Sequence, residues 1–242
     1  MKINIAKISS PGGRAVNDDT VCTCEGRKKA YVFVGDGLGG YAGGQQASKV
    51  AGDVLMRAGQ EQSMLLRENL VAAAVQAQEA VLELQTNTSG NMKTTLVYLA
   101  VEGDCARWMH IGDSRLYRFE NGRLAYQTSD HSVSQMAVLM GDITAEQIRF
   151  HEDRNRVLRA LGGESAKAEV SETIKIGRGK TAFLLCTDGF WEYVYENEME
   201  QTLRQAKTPE EWLQAMEMIL KGRVSGDNDN YTAAAVLIHK VL

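Results

Sequence analysis

Proline is nearly absent: Pro11 and Pro209 are the only two in 242 residues, and no Ser-, Gly- or Pro-rich linker divides the chain. Domain boundaries fall in such linkers, so one domain is expected over residues 1–242. No repeat or low-complexity tract is present. No stretch approaches the ~18–20 apolar residues of a membrane helix. The opening "MKINIAKISSPGG" alternates apolar and polar residues and is broken by Lys7, unlike a signal peptide. A cytoplasmic protein without membrane attachment is expected. Basic charge is also scarce: a net charge of −4 and the lack of any Lys/Arg run exclude an electrostatic footprint for nucleic acid. The cysteines Cys22, Cys24, Cys105 and Cys186 have neither zinc-finger nor thioredoxin spacing and read as reduced thiols. The histidines His110, His131, His151 and His239 show no ligand spacing, which argues against zinc.

What remains is an ordinary soluble composition, 44% apolar and 24% charged, long enough for a substantial core. Strand-like runs occur at "INIAKI", "TVCTCE", "AYVFVGD", "TTLVYLAVEG", "CARWMHIGD", "RLYRFENGRLAYQ", "AEVSETIKI", "KTAFLLCTDG" and "YTAAAVLIHKVL". Asn121-Gly122 marks a tight hairpin within the sixth. Helical periodicity is clearest in "QQASKVAGDVLMRAG", "SMLLRENLVAAAVQAQEAVLELQ" and "PEEWLQAMEMILKGR", where Pro209 suits a first turn. Regular β-α-β alternation is missing, so the expectation is α+β, antiparallel sheets with helices packed outside them.

The stretch "GDGLGGYAGG", residues 35–44, follows the apolar run "AYVFV". Read as G-x-G-x-x-G through Gly35, Gly37 and Gly40, with Asp53 about 20 residues on, it suggests a dinucleotide site. Asp36 would then lie beside a pyrophosphate and need a cation between them, and the chain lacks the β-α-β context. Other acids also border strand-like runs: Asp113 in "WMHIGDSR", Asp188 in "FLLCTDGFWE", Asp229 in "SGDNDNYTAAAVLI", and Asp18 and Asp19 in "GGRAVNDDTV". Each has a turn reading, because Asp and Asn start turns through their own backbone. Five such sites together suit a hard cation such as Mg2+ or Mn2+, which takes oxygen ligands.

In order along the chain, "RAVNDD", "GDGLGGYAGGQQAS", "KTTL", "IGDSRLY", "SDHSV", "RNRVLRALG", "CTDGFWE" and "DNYT" resemble the metal-dependent protein serine/threonine phosphatases, protein phosphatase 2C, in their short bacterial form. The resemblance runs from Gly13 to Ile238. It implies a four-layer α-β-β-α sandwich, two central antiparallel sheets flanked by helices, with a Mn2+ or Mg2+ pair at one edge. It implies that Asp36 bridges the ions, that the Gly37 carbonyl joins one, that Asp188 and Asp229 hold the first and Asp18 the second. Asp19 would orient water and Arg14 would grip the substrate phosphate. Asp113, with Asp188 and support from Glu192, would hold a third, weaker ion. The implied reaction is hydrolysis of phosphoserine and phosphothreonine in proteins by metal-activated water, reversing a Ser/Thr protein kinase, in a monomer.

Several positions depart from the family. Asp18 stands where Glu is more common, so its carboxylate reaches ~1.5 Å less far and its metal contact is expected through water. Tyr41 replaces His, Gln45 replaces Glu and Lys93 replaces Gly, while Leu38 takes the place of a histidine proposed as general acid in eukaryotic members. Residues 130–162 would form a flap with "SVSQMAVLMGDITAEQI" as a helical lid, or else a packed helix with Met136, Leu139 and Met140 in the core. Trp191 and Tyr193 read as core, and His131 as structural. A pseudophosphatase that binds phosphoproteins without turnover is the rival class; it is disfavoured because no metal-binding acid is missing.

Overall fold

Several strands of this chain are apolar on both faces, and such a strand must be covered on both sides. The computed structural model, which describes residues 1–39 and 43–240, meets that demand with four layers. Gly40 and Tyr41 lie outside the described residues.

The first half runs β1 (Lys2–Ser10), β2 (Thr20–Gly26), β3 (Lys29–Gly35), β4 (Gly37–Leu38), α1 (Gly43–Glu61), α2 (Arg67–Thr88), β5 (Lys93–Thr94), β6 (Leu96–Glu102) and β7 (Cys105–Ile111). There follow β8 (Arg115–Glu120), β9 (Arg123–Gln127), α3 (Val133–Met140) and a 3-10 turn (Ala145–Phe150). The chain ends with β10 (Glu169–Val170), β11 (Ile174–Lys175), β12 (Gly179–Cys186), α4 (Asp188–Trp191), α5 (Glu196–Gln205), α6 (Pro209–Lys221) and β13 (Tyr231–Lys240). One sheet has the order β1-β13-β12-β8-β9, the other β10-β7-β6-β3-β2 with β11 also on β7, and β4 pairs with β5 apart from both. All the strand pairings are antiparallel.

Alternation along each strand sorts the residues into layers. On β3, Val32 and Val34 face the opposite sheet, whereas Tyr31 and Phe33 face α1 and α2. On β12, Phe183 and Leu185 meet that middle layer, whereas Leu184 and Cys186 turn toward α5 and α6. Thr208 caps α6 by accepting the Glu211 N–H at 3.2 Å, and Pro209 sits in its first turn as its missing N–H allows. Asn121 and Gly122 have φ of 50° and 79°, the left-handed pair that a tight β8–β9 hairpin requires.

Three local expectations are corrected. The run "AEVSETIKI" is not one strand but the two short pieces β10 and β11. Between them the Ser171 hydroxyl accepts the Trp108 N–H and the Ser171 carbonyl accepts the Arg107 guanidinium, which interrupts the ladder. Helix α5 escaped the sequence reading because "ENEMEQTLRQ" is mostly polar and buries only Met199, Thr202 and Leu203. Met136, Leu139 and Met140 are 42%, 72% and 70% exposed, so α3 does not insert them into the core. Trp191 is buried as expected, while Tyr193 is half-buried and lines the cleft described below. Among the described residues no helix is long and apolar enough to cross a membrane.

Phe183→Ala should lower the stability of the intersheet layer by about 3–5 kcal/mol. Met140→Ser should change it by less than ~0.5 kcal/mol. Denaturant midpoints at constant slope check both values.

Candidate metal centre

The acids singled out in the sequence are delivered by the ends of strands from both sheets. Asp36 follows β3; its N–H donates to Thr95 Oγ1 at 2.8 Å and its carbonyl accepts the Thr95 N–H at 2.9 Å. Thr95 Oγ1 also shares a 2.7 Å hydrogen bond with Ser114, beside Asp113. Asp113 leaves β7 through Gly112, whose φ of +101° an L side chain rarely adopts. Asp188 opens α4 directly after β12, and the Gly189 N–H donates to its Oδ1 at 2.6 Å. Asp229 immediately precedes Asn230 and β13, and Asp19 precedes β2.

Two glycines of the Gly-rich stretch are explained by backbone packing. A Cβ on Gly37 would overlap the Gly44 carbonyl and the Asp18 carbonyl, and a Cβ on Gly44 would overlap the Gly37 carbonyl. The start of α1, strand β4 and the Asp18 loop thus press backbone to backbone. This refines the sequence expectation: the bare backbone at 37 and 44 brings chain segments together, and that contact fixes where the acids stand.

Electrostatics make the cluster costly. Burial raises the Asp36 carboxyl well above its usual range, and Asp188, Asp19, Asp113 and Asp229 push the same way. Asp188 is likewise raised well above normal by burial, then by Asp113, Glu192, Asp19 and Asp229. Burial lifts Asp19 to about 7 against the opposing hydrogen bond from Thr187, and lifts Asp113 to about 7 with help from Asp130. Asp19 Oδ1 and Asp113 Oδ1 are buried with no hydrogen-bond partner among the described residues. Carboxylates crowded this way need either protons or cations, and an all-oxygen donor set suits Mg2+ or Mn2+. The donors present therefore fit the implied ions.

The remaining expected residues gather around them. Arg14 donates from Nε and Nη2 to both oxygens of Asp229 at 3.2 Å, a two-pronged pair of largely exposed side chains. Asp18 directs Oδ1 to the Gln45 N–H at 3.1 Å, on the first turn of α1. Glu192 lies one turn after Asp188, its N–H on the Asp188 carbonyl at 2.9 Å, and is held by Arg154 at 3.0 Å. Asp227 points to Ser225 at 2.7 Å.

Sequence reasoning passed over several supports. Thr187 Oγ1 donates to Asp19 Oδ2 at 2.9 Å and also accepts the Thr232 N–H, so it ties the acid to the β12–β13 junction. Asn230 accepts the Asp18 N–H and donates to the Pro11 and Val16 carbonyls, fastening the Arg14 loop to β13. Below the cluster Arg115 and Asp130 form a buried two-pronged pair at 2.8 Å. The Arg115 guanidinium lies 3.4 Å above Trp191, whose Nε1 donates to the Asp113 carbonyl. None of these polar contacts has a periodicity that a single sequence could reveal.

The fold also joins His110, His131 and Glu169, which linear spacing did not suggest. The two rings stack at 4.7 Å with 6° between planes. Metal lone pairs lie in the ring plane, so parallel rings cannot both aim at one ion. His131 Nδ1 instead accepts the Gly112 N–H at 3.1 Å, while the His131 backbone N–H donates to the Gly112 carbonyl, the structural role expected of it.

The raised carboxyls carry a pH signature. Between about pH 4 and pH 7 the folded chain keeps protons on Asp19 and Asp113 that the unfolded chain has released, so their stabilisation is lost as pH rises through about 7. In EDTA, the fall in melting temperature from about pH 5.5 to about pH 8 should be larger in the wild type than in Asp113→Asn. Saturating Mn2+ should restore the wild type at the higher pH, because metal ligands must be deprotonated. Thermal denaturation at matched ionic strength reads all three.

The family model for Protein phosphatase 2C matches residues 12–221. The chain is 33% identical over 216 residues to the serine/threonine phosphatase stp of Listeria innocua, covering 86% of this chain and 84% of that one. The crystal structure of the Mycobacterium tuberculosis serine/threonine phosphatase PstP/Ppp aligns with a TM-score of 0.86 at 28% identity, over 98% of this chain and 99% of that one. The catalytic domain of the phosphatase PstP in complex with two manganese ions aligns with a TM-score of 0.83 at 27% identity, over 98% and 99%. The matched span takes in Asp18, Asp19, Asp36, Asp113 and Asp188, and the chain belongs to the protein phosphatase 2C family of metal-dependent protein phosphatases.

Proposed function

We propose that this chain hydrolyses phosphoserine and phosphothreonine in proteins, with water as nucleophile at a two-ion Mn2+ or Mg2+ centre, and so reverses a Ser/Thr protein kinase. The observation that carries this reading is the convergence of Asp19, Asp36, Asp113, Asp188 and Asp229, where burial raises the first four carboxyls and Asp19 Oδ1 and Asp113 Oδ1 have no partner among the described residues. Bound divalent ions neutralise a phosphate dianion and lower the pKa of water. Asp36, Asp188 and Asp229 would hold them directly, together with the Gly37 carbonyl. Asp18, already engaged by the Gln45 N–H, would serve through water, as its short side chain suggests. Asp19, steadied by Thr187 through Oδ2, would use Oδ1 to accept a hydrogen bond from water and orient it. Asp113 would take a third, weaker ion with Asp188, supported by Glu192.

Arg14 has a second part. Its planar fork matches two phosphate oxygens as well as it matches the Asp229 carboxylate. If Asp229 held a cation, the Arg14 guanidinium would be free for substrate. The protein would act as a monomer.

Hydrolysis of para-nitrophenyl phosphate and of a phosphothreonine peptide should require Mn2+ or Mg2+ and vanish in EDTA. Asp36→Asn and Asp188→Asn should each lower kcat at least about 100-fold, since a neutral amide is a poor ligand for a hard cation. Asp227→Asn should remain near wild type. Full activity after exhaustive chelation, or normal kinetics in either Asp variant, would sink the two-ion reading.

Asp113→Ala should separate the third ion from the other two. Titration calorimetry with Mn2+ should lose its weak event and keep the tight ones, while most turnover disappears. Loss of the tight events would make Asp113 a primary ligand instead.

A further inference from the structure

A groove of about 540 Å3 adjoins the metal cleft; Asn155 lines both. One wall is built from Leu38 on β4 and Lys93 on β5, which face each other across that short ladder. The other wall is the segment returning from the 3-10 turn toward β10, with Arg156 and Arg159 on the groove. This segment is anchored rather than loose: Ser132 bridges Val157, the Leu158 N–H donates to the His131 carbonyl at 2.7 Å, and Leu161 bridges Thr94.

The groove's charge is opposite in sign to that of the cleft it joins. Lys93, Arg156 and Arg159 line it, with Glu164 as the one acid among the described lining residues. Arg156 is paired with Asp153 at 3.1 Å, but both side chains are accessible. Lys93 and Arg159 have no ion-pair partner among the described residues. In a chain of net charge −4, three cations beside a reactive cleft form a local exception.

Geometry ties the groove to the substrate. Leu38 lies two residues beyond Asp36, about 7 Å along an extended chain. A peptide whose phosphorylated side chain enters the cleft would therefore carry residues two to four positions away across Lys93 and Arg159. Such residues meet accessible, unpaired cations where acids are complemented and lysines repelled.

We propose, resting on the phosphatase reading above, that the groove formed by Lys93, Arg156 and Arg159 selects substrates with acidic side chains two to four residues from the phosphorylated position. Lys93 and Arg159 act on affinity and discrimination, and take no part in the chemical step.

The test uses the Mn2+-loaded protein and fluorescein-labelled peptides carrying the non-hydrolysable phosphonate analogue of phosphothreonine, flanked by Glu, Gln or Lys. Fluorescence anisotropy should show the Glu peptide binding about fivefold more tightly than the Gln peptide, the scale two exposed ion pairs supply. Added salt should erase the difference. Lys93→Glu/Arg159→Glu should abolish the preference or turn it toward the Lys peptide, with circular dichroism and para-nitrophenyl phosphate turnover unchanged. On hydrolysable peptides the same variant should raise KM for the Glu peptide without changing kcat. Equal affinity of the wild type for Glu and Gln peptides overturns the proposal, as does an equal loss on both peptides in the double variant. If Glu-selective binding persists while no substrate is turned over, the groove stands and the phosphatase reading falls.

Discussion

Five carboxylates sharing one cleft repel one another, and the arrangement around them becomes intelligible once that cost is recognised. Asp36 and Asp188 keep partial exposure, Asp188 on the cleft, while Asp19 and Asp113 are almost wholly enclosed. The protein supplies little positive charge to relieve them. Arg14 is turned to Asp229, Arg154 to Glu192, and Arg115 to Asp130 at the next level down. The cluster is positioned by neutral groups: Thr95 fixes the Asp36 backbone and Thr187 fixes Asp19. A neutral support holds a carboxylate in place without cancelling the charge that attracts a cation.

Holding repelling charges together requires a stiff frame, and the two sheets provide one. Asp36 and Asp113 extend from β3 and β7 of one sheet, Asp188 and Asp229 from β12 and β13 of the other. Their separation is set by the apolar layer between the sheets, where Val34, Leu185 and Ala234 lie. The packing energy of that layer and the electrostatic cost of the site are therefore linked: loosening the middle layer would let the acids drift apart. The Arg115–Asp130 pair extends the frame, since the guanidinium covers Trp191 and Trp191 grips the Asp113 carbonyl. Breaking one partner of such a buried pair costs about 3–5 kcal/mol, so this support of Asp113 is firm.

Charge also distinguishes neighbouring surfaces. The cleft is acidic, whereas the groove beyond Asn155 is basic. Arg14 lines the cleft, with its fork on the Asp229 carboxylate.

The sequence by itself marked the long strands and the amphipathic helices α1, α2 and α6, because burial on alternate residues and apolar spacing at 3.6 leave a direct imprint on residue order. It also marked every acid of the cluster, because carboxylates adjoining apolar strand runs are an unusual placement, and ordered motifs linked them to a family. It did not determine α5, whose polar run "ENEMEQTLRQ" is made a helix by the Tyr195 cap and a few buried side chains. Nor did it reveal that Gly37 and Gly44 need each other, that Asn230 fastens the Arg14 loop, or that His110 stacks on His131. Each of these contacts joins residues distant in the chain through a single hydrogen bond or a backbone approach, and such pairings have no period along a sequence. Only the packing of two twisted sheets decides which distant loops meet at their common edge.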